Sequence, residues 1–153
     1  MDSDVIILGG GLVGLTLAIA LDAHGIASIV VDPADPAKTL DAGFDGRASA
    51  VASAPQRMLE AIGVADRLAG QGCPIAKIEV SDGLAPGGLV FDPDPGDGAV
   101  GVMYENRRLR VALREAALAA PRVTLLMPAS PAAVSRDEAG VRVTLADGRE
   151  ARA

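Results

Sequence analysis

The stretch Gly9-Gly10-Gly11-Leu12-Val13-Gly14 matches the pattern G-x-G-x-x-G, and Asp32 follows at the distance that pattern requires. Glycines at these spacings suit the binding of a pyrophosphate. Gly9 permits a tight turn, Gly11 lets the backbone approach a phosphate without a Cβ in the way, and Gly14 lets a helix lie close on a strand. The N–H groups of Leu12, Val13 and Gly14 open the helix, where its dipole favours an anion. Asp32 can accept hydrogen bonds from ribose hydroxyls, and its charge disfavours a 2′-phosphate beside it. The hexapeptide alone is a weak signal, and its context decides.

That context is a βαβ unit. Val5-Ile6-Ile7-Leu8 reads as a buried strand, Leu12 to His24 as a helix ended by Gly25, and Ile29-Val30-Val31 as a second buried strand ending at Asp32. Residues 33–45 read as loop. Ser53 is expected to cap a helix over Ser53–Ile62, with Gly63 after it and one or two further turns over 64–69. Ile75 to Ser81 alternates like a strand, Leu89-Val90-Phe91 reads as a short strand among turns, and Val100 to Tyr104 as another. Asn106 to Ala119 reads as a helix on which Arg108, Arg110 and Arg114 form a solvated face. Val123 to Met127 reads as a strand, and Asp147-Gly148 marks a hairpin between Val141–Ala146 and Glu150–Ala153.

Composition narrows the function classes. Half of the 153 residues are apolar, which is a globular balance. The net charge is −6 and the aromatics are Phe44, Phe91 and Tyr104, which speaks against nucleic-acid binding. One cysteine, Cys73, and one histidine, His24, exclude a disulfide framework and any Cys/His metal spacing. His24 sits where a histidine favours a helix C-terminus, so no catalytic base is assigned to it, and no metal ligands and no catalytic residues are assigned in the chain. The acidic start is unlike a signal peptide, and the apolar run Leu12–Leu21 is about half a membrane span. The chain therefore reads as cytoplasmic, with peripheral association at the inner membrane left open.

The fingerprint does not separate FAD from NAD. Two further stretches do: Asp45-Gly46-Arg47-Ala48-Ser49-Ala50-Val51, and Glu105-Asn106-Arg107-Arg108-Leu109-Arg110-Val111-Ala112-Leu113. With Gly9 to Asp32, they resemble the group A FAD-dependent aromatic hydroxylases, and within them the ubiquinone-biosynthesis (polyprenylphenol) hydroxylases. The resemblance runs over essentially the whole chain.

It implies an α/β fold of the p-hydroxybenzoate hydroxylase type: a Rossmann-like FAD-binding domain over residues 1–72 and 99–153, and the start of a substrate-domain β-sheet over 73–98. It implies FAD as cofactor, NAD(P)H as transient reductant, and a small aromatic substrate hydroxylated with O₂. Gly9, Gly11, Leu12, Val13, Gly14 and Asp32 match the first FAD fingerprint. Arg47 matches an arginine at the pyrophosphate and ribityl region, and an arginine among small residues can hold a phosphate bidentately. Asn106, or alternatively Arg107, falls where relatives place a polar residue near the ribityl chain. The family's later Asp-Gly and Gly-Asp motifs are not in this sequence. The chain is thus expected to be the N-terminal part of such an enzyme, inactive alone, and able to associate at the membrane or in a biosynthetic complex. Two other readings stay open: another FAD- or NAD-linked oxidoreductase sharing the βαβ unit, and a non-catalytic remnant of the fold.

Overall fold

The structure, a computed structural model, describes residues 1–40, 46–83, 87–96 and 98–153. In chain order the elements begin β1 (Val5–Leu8), α1 (Leu12–Ala23), β2 (Ser28–Val31), α2 (Pro36–Leu40), β3 (Ala48–Ala52) and α3 (Ser53–Ala61). They continue α4 (Ala65–Leu68), β4 (Gly72–Ile75), β5 (Ile78–Val80), β6 (Leu89–Phe91) and β7 (Gly101–Glu105). The last are α5 (Asn106–Ala119), β8 (Val123–Leu126), β9 (Pro131–Asp137), β10 (Gly140–Leu145) and β11 (Glu150–Arg152). They form two compact units, Met1–Gly43 with Arg110–Ala153, and Phe44–Leu109.

The first unit is built on a parallel sheet in the order β1-β2-β8, with Val5 opposite Ser28 and Ser28 opposite Val123. The middle strand β2 is buried along its whole length, as a parallel strand covered on both faces must be. Alternation sends Ile29 and Val31 to one face, where they pack with Leu126, Ala129, Val143, Leu145 and Ala151. Three of these belong to the antiparallel sheet β11-β10-β9, which therefore closes that face. Helix α1 covers the other face with Leu15, Ala18 and Ile19. Each large side chain so buried contributes about 1.5–3 kcal/mol. Gly25, at φ +79°, turns the chain out of α1, and His24 Nδ1 donates to the Ala20 carbonyl one turn back.

The second unit carries the antiparallel sheet β3-β7-β4 and a separate two-stranded ribbon, β5-β6. Among the described residues, Leu59, Val64, Leu68, Tyr104 and Leu109 are its buried apolar side chains. Gly72 is set against Tyr104 and Val102 so closely that a Cβ there would meet both.

Several expectations change. Ile75 to Ser81 is not one strand: Gly72–Ile75 pairs with β7, and Ile78–Val80 pairs with Leu89–Phe91. Alternation of side chains could not show that the hydrogen-bonding partner changes between them. Ser53 is the first helical residue and not the cap, which is Ala52, and no side chain caps that end. The expected loop contains α2, and Ala48–Ala52 and Pro131–Asp137 are strands. Arg108 is exposed as expected, but Arg110 and Arg114 are half-buried, with Arg110 Nε and Arg114 Nη1 shut off from water. The division into compact units falls at residues 43/44 and 109/110, and β4 pairs with β7 within the second of them.

Candidate functional site

The C-terminal end of β1 carries the glycine turn. Gly9 takes φ +117°, a conformation that L side chains rarely adopt, and its N–H donates to Val31 O at 2.8 Å. Gly11 stands at the N-cap of α1 in extended backbone, and its carbonyl accepts the Leu15 N–H at 3.0 Å. A Cβ on Gly11 would meet no heavy atom of the described residues within 4 Å. The space beside it is open, and Val13 next to it is 83% exposed. The N–H groups of Leu12, Val13 and Gly14 have no acceptor within the helix, by helix geometry. No acidic side chain occupies the first turn of α1. An anion entering here meets free donors, the positive end of a helix dipole and no competing carboxylate on that turn.

Asp32 follows the end of β2, half-buried and held from several sides. Its backbone N–H donates to Leu126 O at 3.2 Å, and its carbonyl accepts the Ala129 N–H at 2.8 Å. Its carboxylate accepts the Gly10 N–H on Oδ2 at 2.6 Å and the Ala34 N–H on Oδ1 at 2.7 Å. Each oxygen keeps acceptor capacity, so the group is fixed in orientation and still able to take a hydroxyl. The arrangement lies at the carboxyl ends of neighbouring parallel strands, where open α/β sheets bind ligands.

The second unit carries Arg47 and Asn106. The pairing of Ala48 with Glu105 brings them together, and the Asn106 N–H donates to Arg47 O at 3.1 Å. Ser49 Oγ donates to Asn106 Oδ1 at 2.6 Å, which fixes the amide and turns its NH₂ away from the serine. Arg47 is exposed, while Asn106 and Arg107 are half-buried. Asp45, the first residue of the Asp45-Gly46-Arg47 stretch, lies outside the described residues. The structure thus gathers Gly9, Gly11, Leu12, Val13, Gly14 and Asp32 on one unit, and Arg47 and Asn106 on the other.

A family model described as an FAD binding domain matches residues 2–153. The chain belongs to this FAD-binding family. Its cofactor is FAD, and an open Gly11 beside free helix donors and an oriented carboxylate fits the adenosine diphosphate half of that molecule. Over 151 residues this FAD binding domain is 47% identical to "Ubiquinone hydroxylase UbiL" of Rhodospirillum rubrum, covering 99% of this chain and 35% of that protein. Over 154 residues it is 34% identical to the 3-demethoxyubiquinol 3-hydroxylase of Escherichia coli, covering 99% of this chain and 39% of that protein. The chain therefore spans little more than a third of these relatives. Among solved structures, PqsL, a probable FAD-dependent monooxygenase from Pseudomonas aeruginosa, superposes with a TM-score of 0.74 at 27% identity, over 99% of this chain and 40% of that one. The anhydrotetracycline hydroxylase OxyS from Streptomyces rimosus superposes with a TM-score of 0.77 at 20% identity, over 99% of this chain and 30% of that one, a likeness of fold. The expected α/β fold of the p-hydroxybenzoate hydroxylase type is borne out.

Sequence reasoning missed Gly10, Ala34, Ser49 and Met127. Gly10 and Ala34 act through backbone N–H groups that any residue but proline supplies. Ser49 lies 57 residues from Asn106, so no local pattern links them. Met127 was expected as the last residue of a strand; it follows β8 instead, and its thioether packs at Gly10. Among the described residues there is no group of three or more His, Cys, Asp or Glu placed to hold a metal, and no helix long and apolar enough to cross a membrane.

Proposed function

We propose that this chain is the FAD-binding part of a monooxygenase that hydroxylates an aromatic ring in ubiquinone biosynthesis. The observation that carries the reading is the 47% identity, over 99% of the chain, to a protein named as a ubiquinone hydroxylase. In this reading the turn Gly9, Gly11, Leu12, Val13 and Gly14 holds the pyrophosphate through backbone N–H groups, and Asp32 holds the ribose hydroxyls. Arg47 neutralises phosphate charge, and the Asn106 amide, oriented by Ser49, reaches the ribityl region; Arg107 is the alternative there. Residues 73–98 begin the part that meets substrate.

Bound FAD would supply the redox chemistry, with NAD(P)H as the two-electron reductant, one oxygen atom of O₂ going to the ring and the other to water. The residues of this chain bind and orient; none is assigned proton transfer. The substrate is a polyprenylated phenol, the site of action is the cytoplasm, and an apolar substrate of this kind favours peripheral association with the inner membrane or with a biosynthetic complex. The chain alone is inactive in this reading.

Deleting the gene that encodes this chain and analysing the quinones by mass spectrometry tests the proposal. An under-hydroxylated polyprenylphenol should accumulate, and an unchanged quinone profile would overturn it. FAD should bind in preference to NAD in a titration monitored by flavin fluorescence.

A further inference from the structure

Gly10 is the middle glycine of the triplet, and its backbone does not require glycine: its φ lies outside the positive range that Gly9 occupies. The reason for a glycine lies in what packs on it. A Cβ at position 10 would stand 2.6 Å from Met127 Sδ, 2.7 Å from Met127 Cε and 3.1 Å from Asp32 Cβ. The thioether of Met127 and the β-carbon of Asp32 therefore close on the Gly10 Cα. Met127 is itself placed by the chain around it. Leu126 O accepts the Asp32 N–H and the Ala129 N–H donates to Asp32 O, so residues 126–129 grip Asp32 with Met127 between the two bonds.

We infer that Met127 is a positioning residue for the acidic end of the cofactor site. Its thioether, seated on Gly10, holds the Gly10 N–H against Asp32 Oδ2 and so sets the direction of the carboxylate. A flexible, polarisable side chain suits an irregular gap beside a turn. The functional consequence rests on the reading of Asp32 as the ribose acceptor; the packing does not.

The test uses amide hydrogen exchange by NMR on the chain, with FAD titration beside it. Met127→Ala should lower the protection of the Gly10 amide by about tenfold or more, as expected for weakening a hydrogen bond to a charged acceptor. Core amides such as Val30 should keep theirs, and Met127→Leu should restore Gly10. FAD affinity should fall and recover in the same order. Because the Met127 thioether can swing away, Gly10→Ala should displace it, and its effect on affinity should not add to that of Met127→Ala. An unchanged Gly10 protection in Met127→Ala, or a fall shared equally with Val30, would overturn the inference. A selective loss at Gly10 with FAD affinity unaltered would support the positioning role and count against Asp32 as the ribose acceptor.

Discussion

Gly14 lies so close to Gly9 that a Cβ on it would stand 1.8 Å from the Gly9 carbonyl oxygen and 3.2 Å from Ile7 Cγ2. Helix α1 thus meets the glycine turn backbone to backbone, and the atom in the way belongs to the main chain, which cannot swing aside. Gly14→Ala should destabilise the first unit by about 3 kcal/mol, at the upper end for an overpacked site. Urea unfolding followed by circular dichroism measures it. A midpoint equal to wild type would show that the turn is looser than its geometry.

Gly11 is the opposite case, since among the described residues nothing lies within 4 Å of its Cβ position and its backbone is extended. Gly11→Val should still fold, at a cost of about 1 kcal/mol, because valine is a poorer N-cap than glycine. It should nevertheless lose FAD, because the new side chain fills the space a pyrophosphate needs. Retention of FAD by this variant in a fluorescence titration would mean that the turn does not touch the cofactor.

Asp32 accepts two backbone N–H groups and, in the proposed reading, the ribose hydroxyls as well. On that reading, replacing it with alanine removes an acceptor for ribose, a loss of about 1.5–3 kcal/mol for hydrogen bonds to a charged group. It also strands the Gly10 and Ala34 N–H groups that the carboxylate now accepts. Asp32→Ala should therefore weaken FAD binding and also lower the unfolding midpoint. Calorimetry with and without FAD separates the two effects, and loss of neither would refute both roles.

The signals that made β1, the turn, α1 and β2 legible are local. Both strands read as unbroken apolar runs, β2 being buried along its whole length and β1 at Ile7, and glycine is needed where φ is positive or a helix approaches closely. β3 was not legible, because Ala48-Ser49-Ala50-Val51-Ala52 has little strand propensity of its own and is made a strand by pairing with β7. β9 is exposed along its length, with proline first, and offers no apolar alternation to read. The site was legible to the same depth. Gly9, Gly11, Gly14 and Asp32 stand in a spaced pattern, while the contacts of Met127 with Gly10 and of Ser49 with Asn106 arise when distant segments are brought together.

Ser49 and Asn106 give a smaller expected effect. Ser49→Ala removes the donor to Asn106 Oδ1 and should cost about 0.5–1.5 kcal/mol of stability, the usual net worth of such a bond. The amide would then be free to flip. If Asn106 serves the cofactor, Ser49→Ala should weaken FAD binding to a lesser degree than Asn106→Ala, and equilibrium dialysis ranks the two. A Ser49→Ala chain that binds FAD as wild type while Asn106→Ala does not would show that Asn106 needs no partner to orient it.

The ribbon β5-β6 sets the last expectation. Ile78 pairs with Phe91 and Val80 with Leu89, so all four side chains share one face, and they are 40%, 46%, 52% and 59% exposed. A two-stranded ribbon with such a face has little stability of its own and gains by covering it. In the first unit, among the described residues β1 pairs with β2 alone within its sheet, and Leu8 at its end is 49% exposed. The chain by itself should therefore associate as its concentration rises, and should oxidise no NAD(P)H. Val80→Lys with Leu89→Glu places a cross-strand ion pair on the ribbon and should shift sedimentation toward the monomer without altering the circular dichroism spectrum. A wild-type chain that sediments as a monomer at high micromolar concentration would show that these faces are tolerated in water, and rapid FAD-dependent NAD(P)H oxidation would show that the chain needs nothing more to turn over.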